Sequence, residues 1–297
     1  TIDLTAPAPP PAVAAPPVGE PATAPPVLRG PSRLRGILAG ASYAALGFAG
    51  LFAIWSALSA WKPAIPSPGV TFQQFRELLA DPFRDGAGND KGIFIQLRGS
   101  LGRVARGFGL AALVGIPFGL LIGAWKPAWR AANPVIQLLR PVSPLAWYPI
   151  WLTVFAGGGG GAVAPAAVWT IFITALWPVV INTAAGAASV PVDQRNVSQV
   201  FRFGRLAYLR HVLVPHTLPS IVTGLRLSMG IAWMVIVAVE MLSGGVGIGF
   251  FVWDSYNAFN LAKVISAIAI IGAVGLVLDA AFLRLGRAVQ HEGAVAS

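Results

Sequence analysis

The sequence contains no cysteine and few charged residues, and these two shortages exclude several kinds of protein. Without cysteine the 297-residue chain cannot form disulfides, a thiolate nucleophile or a cysteine-ligated metal centre. The three histidines occur in no metal-binding spacing, and the sequence has neither a serine elbow nor a phosphate-binding P-loop. We therefore expect a non-catalytic chain that holds no cofactor or metal of its own.

Charged residues make up only 11% of the chain, whereas about 25% is usual in soluble domains. Hydrophobic residues reach 56%, and the mean hydropathy is +0.70. The apolar residues form long runs rather than an alternating pattern, which favours membrane-spanning helices over a β-barrel. The net charge of +10 fits the excess of Lys and Arg that cytoplasmic loops of membrane proteins carry, so no nucleic-acid partner is expected.

Composition divides the chain into three parts. Residues 1–35 are rich in Pro and Ala and have no apolar period, which predicts a disordered cytoplasmic tail. That segment has no apolar core of the kind a signal peptide needs. Residues 36–288 form the predicted transmembrane domain, and residues 289–297 form a short C-terminal tail.

Six apolar runs within the central part are long enough to predict six transmembrane helices. They cover Gly36–Trp61, Ser100–Trp125, Asn133–Ala156, Val163–Thr183, Leu218–Leu242 and Val264–Leu285. Three prolines interrupt the third run, which is tolerated at membrane depth only where protein or a water-filled cavity satisfies the freed backbone groups. Lys and Arg are more abundant on the side of the termini, which predicts that both termini are cytoplasmic.

Glycine recurs every fourth residue in the second run, at Gly115, Gly119 and Gly123. This spacing puts the three glycines on one helix face, where small residues let a neighbouring helix approach closely. The sequence therefore predicts a close helix–helix contact along this face.

A basic loop, residues 190–215, separates the fourth and fifth runs. It contains Arg195, Arg202, Arg205 and Arg210, and its apolar residues recur at helical spacing. We expect one or two short amphipathic helices at the cytoplasmic surface that present an apolar and basic face to a partner.

Four arginines lie at or within predicted spans, where a charged residue usually faces a pathway or a partner, and two of them, Arg140 and Arg226, are the more informative. Arg140 follows Leu139 in the proline-broken run, and Arg226 lies about two turns into the fifth run. They either create an electropositive path for a small anion, or reach the interface or pair with backbone carbonyls. Glu240, near the outer end of the fifth run, either pairs with an arginine, lines an outer gate or reaches water.

The candidate substrate path takes in these residues together with neighbouring polar and aromatic side chains. Its members are Arg140, Ser143, Trp147, Arg226, Trp233 and Glu240. Packing or interfacial anchoring is the alternative explanation for the tryptophans. Arg103 and Arg106 are interpreted as interface anchors, and Asp279 as a structural residue.

The basic loop ends in Val212-Leu-Val-Pro215 and Thr217-Leu-Pro219 and resembles the EAA loop of ABC importer permeases. Asn196-Val-Ser198 occupies the place of Glu-Ala-Ala, and Arg202 that of the usual glycine. Further motifs resemble the nitrate/bicarbonate/cyanate branch of that family. They are Asp81-Pro-Phe83, Gly88-Asn-Asp-Lys-Gly-Ile-Phe94, Leu139-Arg-Pro-Val-Ser-Pro-Leu-Ala-Trp147, Trp177-Pro178, Ile181-Asn-Thr183, Gly224-Leu-Arg226, Glu240-Met-Leu242 and Gly244-Gly-Val-Gly-Ile-Gly-Phe-Phe-Val-Trp-Asp254. The glycines at 157–161 depart from the pattern, which is expected to have a more polar turn.

The resemblance implies the all-α type I importer permease fold, acting as a dimer in a bacterial inner membrane. Two ATP-binding subunits would bind ATP and Mg on the cytoplasmic side, and a solute-binding protein would deliver the cargo from outside. Residues of the basic loop would contact the ATPase, namely Asp193, Asn196, Val197, Ser198, Arg202, Gly204 and Arg205. The implied cargo is nitrate, with bicarbonate, cyanate or a sulfonate as alternatives. A stand-alone secondary anion transporter is the competing class, and it would normally show more spans with inverted repeats.

Overall fold

A computed structural model describes residues 33–86, 90–157 and 161–295 of the chain. The chain divides into two compact units, residues 1–54 and 55–297. The described part of the first unit belongs to helix α1 (Arg33–Trp61). Residues 1–32 and 296–297 lie outside the described residues, as does most of the glycine run, so the predicted N-terminal tail and that turn stay predictions. Residues 289–295 of the predicted C-terminal tail belong to the last helix, Leu261–Val295.

The described residues of the second unit are helical apart from loops and one isolated bridge between Asp85 and Lys91. The helices are α2 (Pro68–Ala80), α3 (Ile93–Ala124), α4 (Lys126–Leu139), α5 (Pro144–Phe155), α6 (Val163–Ala188), α7 (Val192–Val200), α8 (Arg205–Tyr208), α9 (Val214–Ser243), α10 (Ile248–Asn257) and α11 (Leu261–Val295). The prediction that the chain is all-helical is confirmed for the described residues.

Five helical segments in the described residues are long and apolar enough to cross a membrane. They are Ala41–Trp61, Ile93–Ala124, Val163–Ala188, Arg205–Ser243 and Leu261–Ala288. The predicted third span is instead two shorter helices, α4 and α5, so the six-span count is not confirmed. The cause is local: Pro141 has no backbone N–H with which to continue α4, and Pro144 occupies the first turn of α5, where its missing N–H costs nothing.

Helices α3 and α6 pack closely along a stripe of small residues. An added Cβ at Gly119 would lie 2.7 Å from the Cβ of Thr183, and one at Gly115 would lie 3.0 Å from Val179. An added Cβ at Gly123 would collide with the backbone of Ala184. The close helix contact predicted from the four-residue glycine spacing is therefore confirmed, with α6 as the partner.

Helix α9 lies against α6 on one side and α11 on another. The Ser228 hydroxyl donates a hydrogen bond of 2.7 Å to the Ala175 carbonyl of α6. The Trp233 indole N–H donates one of 3.0 Å to the Ile271 carbonyl of α11. Buried aliphatic residues such as Ile236 complete a core shared by α3, α5, α6, α9, α10 and α11.

The basic loop forms the short helices α7 and α8, and one π-helical turn (Leu209–Leu213) then leads into α9. A small separate core of Ala187, Val190 and Leu213 anchors both ends of the loop. The prediction of one or two short helices in this segment is confirmed.

Candidate functional site

A cavity of about 390 Å³ lies where the break between α4 and α5 meets α6 and α9. We call it the central cavity. Arg140 is the only charged residue in its wall, as far as the described residues show. The rest of the wall is mainly apolar, with contributions from proline, tryptophan and aliphatic side chains.

Arg140 reaches this position because the chain turns at the helix break. It caps the C-terminus of α4, with its backbone N–H bonded to the Ile136 carbonyl at 2.9 Å. Its side chain is exposed and makes no hydrogen bond or ion pair with any described residue. A guanidinium without a counter-ion beside an apolar wall is electrostatically suited to an anion.

Trp147 lies in the first turn of α5 and also lines the central cavity. Its ring stacks on that of Trp151, with centroids 6.5 Å apart, and Trp151 contacts Trp169 of α6 at 5.3 Å. Ser143 is the residue before α5 and is exposed, but it is not part of the cavity wall. Of the six predicted path residues, the structure thus brings Arg140 and Trp147 together at the cavity.

Three residues of α6 line the central cavity although none of them was among the predicted path residues: Thr174, Trp177 and Asn182. The Asn182 amide nitrogen donates a hydrogen bond of 2.8 Å to the Pro178 carbonyl. Gly224 lets α9 approach here, since an added Cβ would lie 2.9 Å from the Cβ of Asn182. Pro178, in the middle of a predicted span, was the available signal, because a proline inside a membrane helix frees a backbone carbonyl.

Arg226 lies outside the central cavity and pairs with Asp279 of α11. Its Nε and one terminal nitrogen donate to the two carboxylate oxygens of Asp279 at 2.6 and 2.9 Å. Both side chains are about two-fifths exposed. This ion pair links α9 to α11, and Asp279 is the counter-ion of Arg226.

Glu240 is buried and ties α9 to α3. Its carboxylate accepts hydrogen bonds from the Ser100 hydroxyl at 2.8 Å, the Arg103 guanidinium at 2.6 Å and the Gly249 N–H at 3.0 Å. It is only 1% exposed, so it neither reaches water nor lies in the wall of the central cavity. Of the three alternatives for Glu240, pairing with an arginine is the one observed.

The same cluster satisfies the first backbone N–H groups of α10, which would otherwise lack partners. The Gln96 side-chain carbonyl accepts from Gly247 N–H at 2.6 Å, and the Ser100 hydroxyl accepts from Ile248 N–H at 2.9 Å. Arg103 in turn donates to the Val246 carbonyl at 2.8 Å. We name Gln96, Ser100, Arg103 and Glu240 the polar clamp. Arg103 therefore holds a loop in place, which corrects its interpretation as an interface anchor.

A second candidate site is the surface of the basic loop. Large apolar side chains there are exposed, with Val200 at 78%, Phe201 at 70% and Leu206 at 75%. Asp193, Asn196 and Val197 on α7, and Gly204 and Arg205 at the start of α8, are exposed beside them. We call this set, together with the exposed Arg202, the loop surface. Exposed apolar and cationic side chains on one ordered segment are typical of a protein-binding surface.

Two residues of the basic loop, Ser198 and Arg202, have specific backbone roles. Ser198 is buried and donates a hydrogen bond of 2.6 Å to the Arg195 carbonyl, which holds α7 together. Arg202 adopts φ 51°, the left-handed region that favours glycine. The family whose loop this segment resembles usually has glycine there, and the backbone conformation gives a physical reason.

No group of three or more His, Asp or Glu side chains placed to hold a metal ion occurs in the described part of the chain. The described part of the chain provides a cation at a cavity with no counter-ion among the described residues, two ion pairs between helices and an exposed loop surface.

Residues 115–291 match a family described as "Binding-protein-dependent transport system inner membrane component". The chain is 45% identical over 257 residues to the "Nitrate import permease protein NrtB" of Leptolyngbya laminosa, covering 85% of this chain and 90% of the relative. It is also 45% identical over 235 residues to the "Bicarbonate transport system permease protein CmpB" of Synechococcus elongatus, covering 79% of this chain and 83% of the relative. Among solved structures, the MetNI methionine ABC transporter in an inward-facing conformation matches with a TM-score of 0.59 at 15% identity, covering 64% of this chain and 93% of that one. This structural likeness supports the fold alone.

Proposed function

Because the chain belongs to the family of inner membrane components of binding-protein-dependent transport systems, as an ABC importer permease of the nitrate/bicarbonate branch, we propose that it carries nitrate or a similar small anion through the membrane. Its fold is that of the type I importer permeases. The chain contributes no nucleotide-binding motif, so the energy of transport comes from partner subunits that bind ATP and Mg.

The single observation that carries the cargo proposal is Arg140 in the wall of the central cavity. An anion there gains a charge-assisted interaction with a guanidinium that has no partner of its own among the described residues. Relatives named for nitrate and for bicarbonate are equally similar to this chain, so bicarbonate is the first alternative cargo. Cyanate and sulfonates are the further alternatives within the family.

In this proposal Arg140, Ser143 and Trp147 lie along the path of the anion. Arg226, Trp233 and Glu240 contribute by holding α9 in place against α11 and α3, through the contacts with Asp279, Ile271 and Arg103. The proposed path thus depends on both groups of residues, but only the first group would meet the anion.

Anion uptake into cells or vesicles that contain the whole transporter tests the cargo. Arg140→Gln is expected to lower nitrate uptake by about tenfold or more at equal expression, the factor that about 1.4 kcal/mol represents. Arg130→Gln, on the same helix α4 and outside the cavity wall, is the matched control and should transport normally. Equal uptake by both variants would contradict the proposal.

The loop surface is the proposed contact with the ATPase subunits. Its exposed apolar residues supply the buried area of an interface, and Arg202 and Arg205 supply charge complementarity to an acidic groove. Reversal of both arginines to Glu should abolish co-purification with the ATPase, whereas Arg130→Glu should not. Retained co-purification together with intact transport in the double reversal would refute this contact.

The full transporter is proposed to contain a second copy of this chain, two ATP-binding subunits inside and a solute-binding protein outside, within membrane lipid. Both termini and the loop surface would be cytoplasmic. Because the chain has no native cysteine, a single Val197→Cys change gives a clean topology test. A membrane-impermeant thiol reagent should label this cysteine only from the cytoplasmic side. Labelling from outside would show that the topology is the opposite of the proposed one.

A further inference from the structure

We propose that the central cavity selects singly charged anions over doubly charged ones, and that Trp177 and Asn182 complete its binding site. This inference rests on the proposed function and specifies the class of cargo that the site accepts. It depends on the charge and hydrogen-bonding groups of the cavity wall.

The charge of the wall favours an anion with one negative charge. Arg140 contributes one positive charge, and no carboxylate of the described residues lines the cavity. A bound nitrate or bicarbonate would therefore form a neutral pair with Arg140. Sulfate or hydrogen phosphate would leave one negative charge uncompensated beside apolar side chains, which is costly at low dielectric.

Three side chains of the wall, Arg140, Trp177 and Asn182, offer hydrogen-bond donors, whereas the Thr174 hydroxyl already donates to the Thr170 carbonyl at 2.8 Å. Trp177 is 9% exposed, and its indole N–H has no hydrogen-bond partner among the described residues. Asn182 uses one amide hydrogen on the Pro178 carbonyl and retains the other. Together with Arg140 these groups supply donors to an ion whose oxygen atoms only accept, as in nitrate.

Asn182 is also fixed in orientation. Its amide nitrogen faces the Pro178 carbonyl, so its side-chain oxygen must point elsewhere, and α9 closes over it at Gly224. The oxygen accepts no hydrogen bond from the described residues and is free to accept one from an anion that carries a hydrogen, such as bicarbonate. The cavity therefore suits both monovalent anions, and Asn182 distinguishes between them.

The test measures anion binding by thermal unfolding of the purified transporter, permease with its ATPase subunits, in nanodiscs without the binding protein. An anion that binds the folded state raises the unfolding midpoint in a saturable way. Sulfate also stabilises proteins by exclusion from their surfaces. The readout is therefore the difference between the wild type and Arg140→Gln at each concentration of sodium nitrate, bicarbonate or sulfate, at matched ionic strength.

We expect a saturable difference for nitrate and for bicarbonate, with an apparent affinity at least about tenfold tighter than for sulfate. Arg130→Gln should behave as the wild type. Asn182→Leu should weaken bicarbonate more than nitrate, because only bicarbonate can donate to the lost oxygen. A sulfate affinity equal to that of nitrate, or a nitrate effect unchanged in Arg140→Gln, would overturn the inference.

A second variant tests the charge argument by adding a positive charge to the cavity wall instead of removing one. Leu227 lines the cavity and is 52% exposed, so Leu227→Lys adds a cation to the cavity wall, and Leu227→Met is its control. The lysine variant should bring the affinity for sulfate to within about threefold of that for nitrate, and an unchanged ratio would contradict the proposal. Normal ATP-driven nitrate uptake without any saturable Arg140-dependent binding would refute the site and leave the proposed function intact. Saturable nitrate binding without nitrate uptake would support the binding site and contradict the proposed function.

Discussion

Replacement of Glu240 by leucine should destabilise the protein strongly, because it breaks the polar clamp at its centre. The change removes the acceptor of three hydrogen bonds, from Ser100 at 2.8 Å, Arg103 at 2.6 Å and Gly249 N–H at 3.0 Å. It also leaves the Arg103 guanidinium, whose side chain is 17% exposed, without its counter-ion. Loss of one partner of such a buried pair costs about 3–5 kcal/mol.

Two further variants separate the charge from the hydrogen bonds. Glu240→Gln keeps the shape and one acceptor oxygen but removes the charge, so we expect a smaller loss of about 1–3 kcal/mol. The double variant of Glu240→Leu with Arg103→Met removes both charges and should lose less than the sum of the single changes. The expected interaction energy is about 0.5–3 kcal/mol, as for other residues in direct contact.

The assay is the free energy of unfolding in mixed micelles of a mild detergent and dodecyl sulfate, followed by tryptophan fluorescence. The single variant Arg103→Met is the control, because methionine keeps an aliphatic chain in place of the arginine stem. The reasoning would be refuted if Glu240→Leu lost less than about 0.5 kcal/mol, the range of ordinary surface changes. Additive losses in the double variant would also refute it.

Three further predictions concern packing, backbone and charge. Gly119→Ala should destabilise the protein by about 1–3 kcal/mol, because the methyl group would lie 2.7 Å from an α6 side chain, whereas Gly109→Ala, which meets nothing within 4 Å, should not. Arg202→Gly should raise the thermal midpoint of the isolated permease and Arg202→Val should lower it, because φ is 51°; the opposite order would contradict the backbone argument. Single reversals at Arg226 or Asp279 should lower the yield of folded protein, and the swapped double variant should recover it; no recovery would show that the ion pair is not what joins α9 to α11.

Patterns that repeat along one helix predicted the structure well. The spacing of Gly115, Gly119 and Gly123 indicated a close-packed face because a four-residue repeat returns to the same side of a helix, and α6 lies on that face. The basic loop was likewise predicted to form short helices from its own apolar spacing. Such local signals need no knowledge of the partner helix.

Contacts between distant segments could not be predicted in the same way. Nothing in the sequence around Arg226 indicates that its partner is Asp279, 53 residues later, rather than a transported anion. Glu240 was expected to pair with some arginine, but the choice of Arg103 and the capping of α10 depend on how α3 and α9 pack. The third span was predicted from average hydropathy, and its division at Pro141 and Pro144 requires the actual backbone.

We propose that this chain forms an anion path and that transport through it depends on ATP hydrolysis by partner subunits. The most direct measurement uses liposomes that contain the permease with its ATPase, to which solute-binding proteins loaded with nitrate or bicarbonate are added. We predict that one loaded binding protein stimulates ATP hydrolysis and that its anion accumulates in the vesicles only when ATP is present. Equal anion movement through the permease alone, without ATP or ATPase subunits, would contradict the account and identify a secondary transporter.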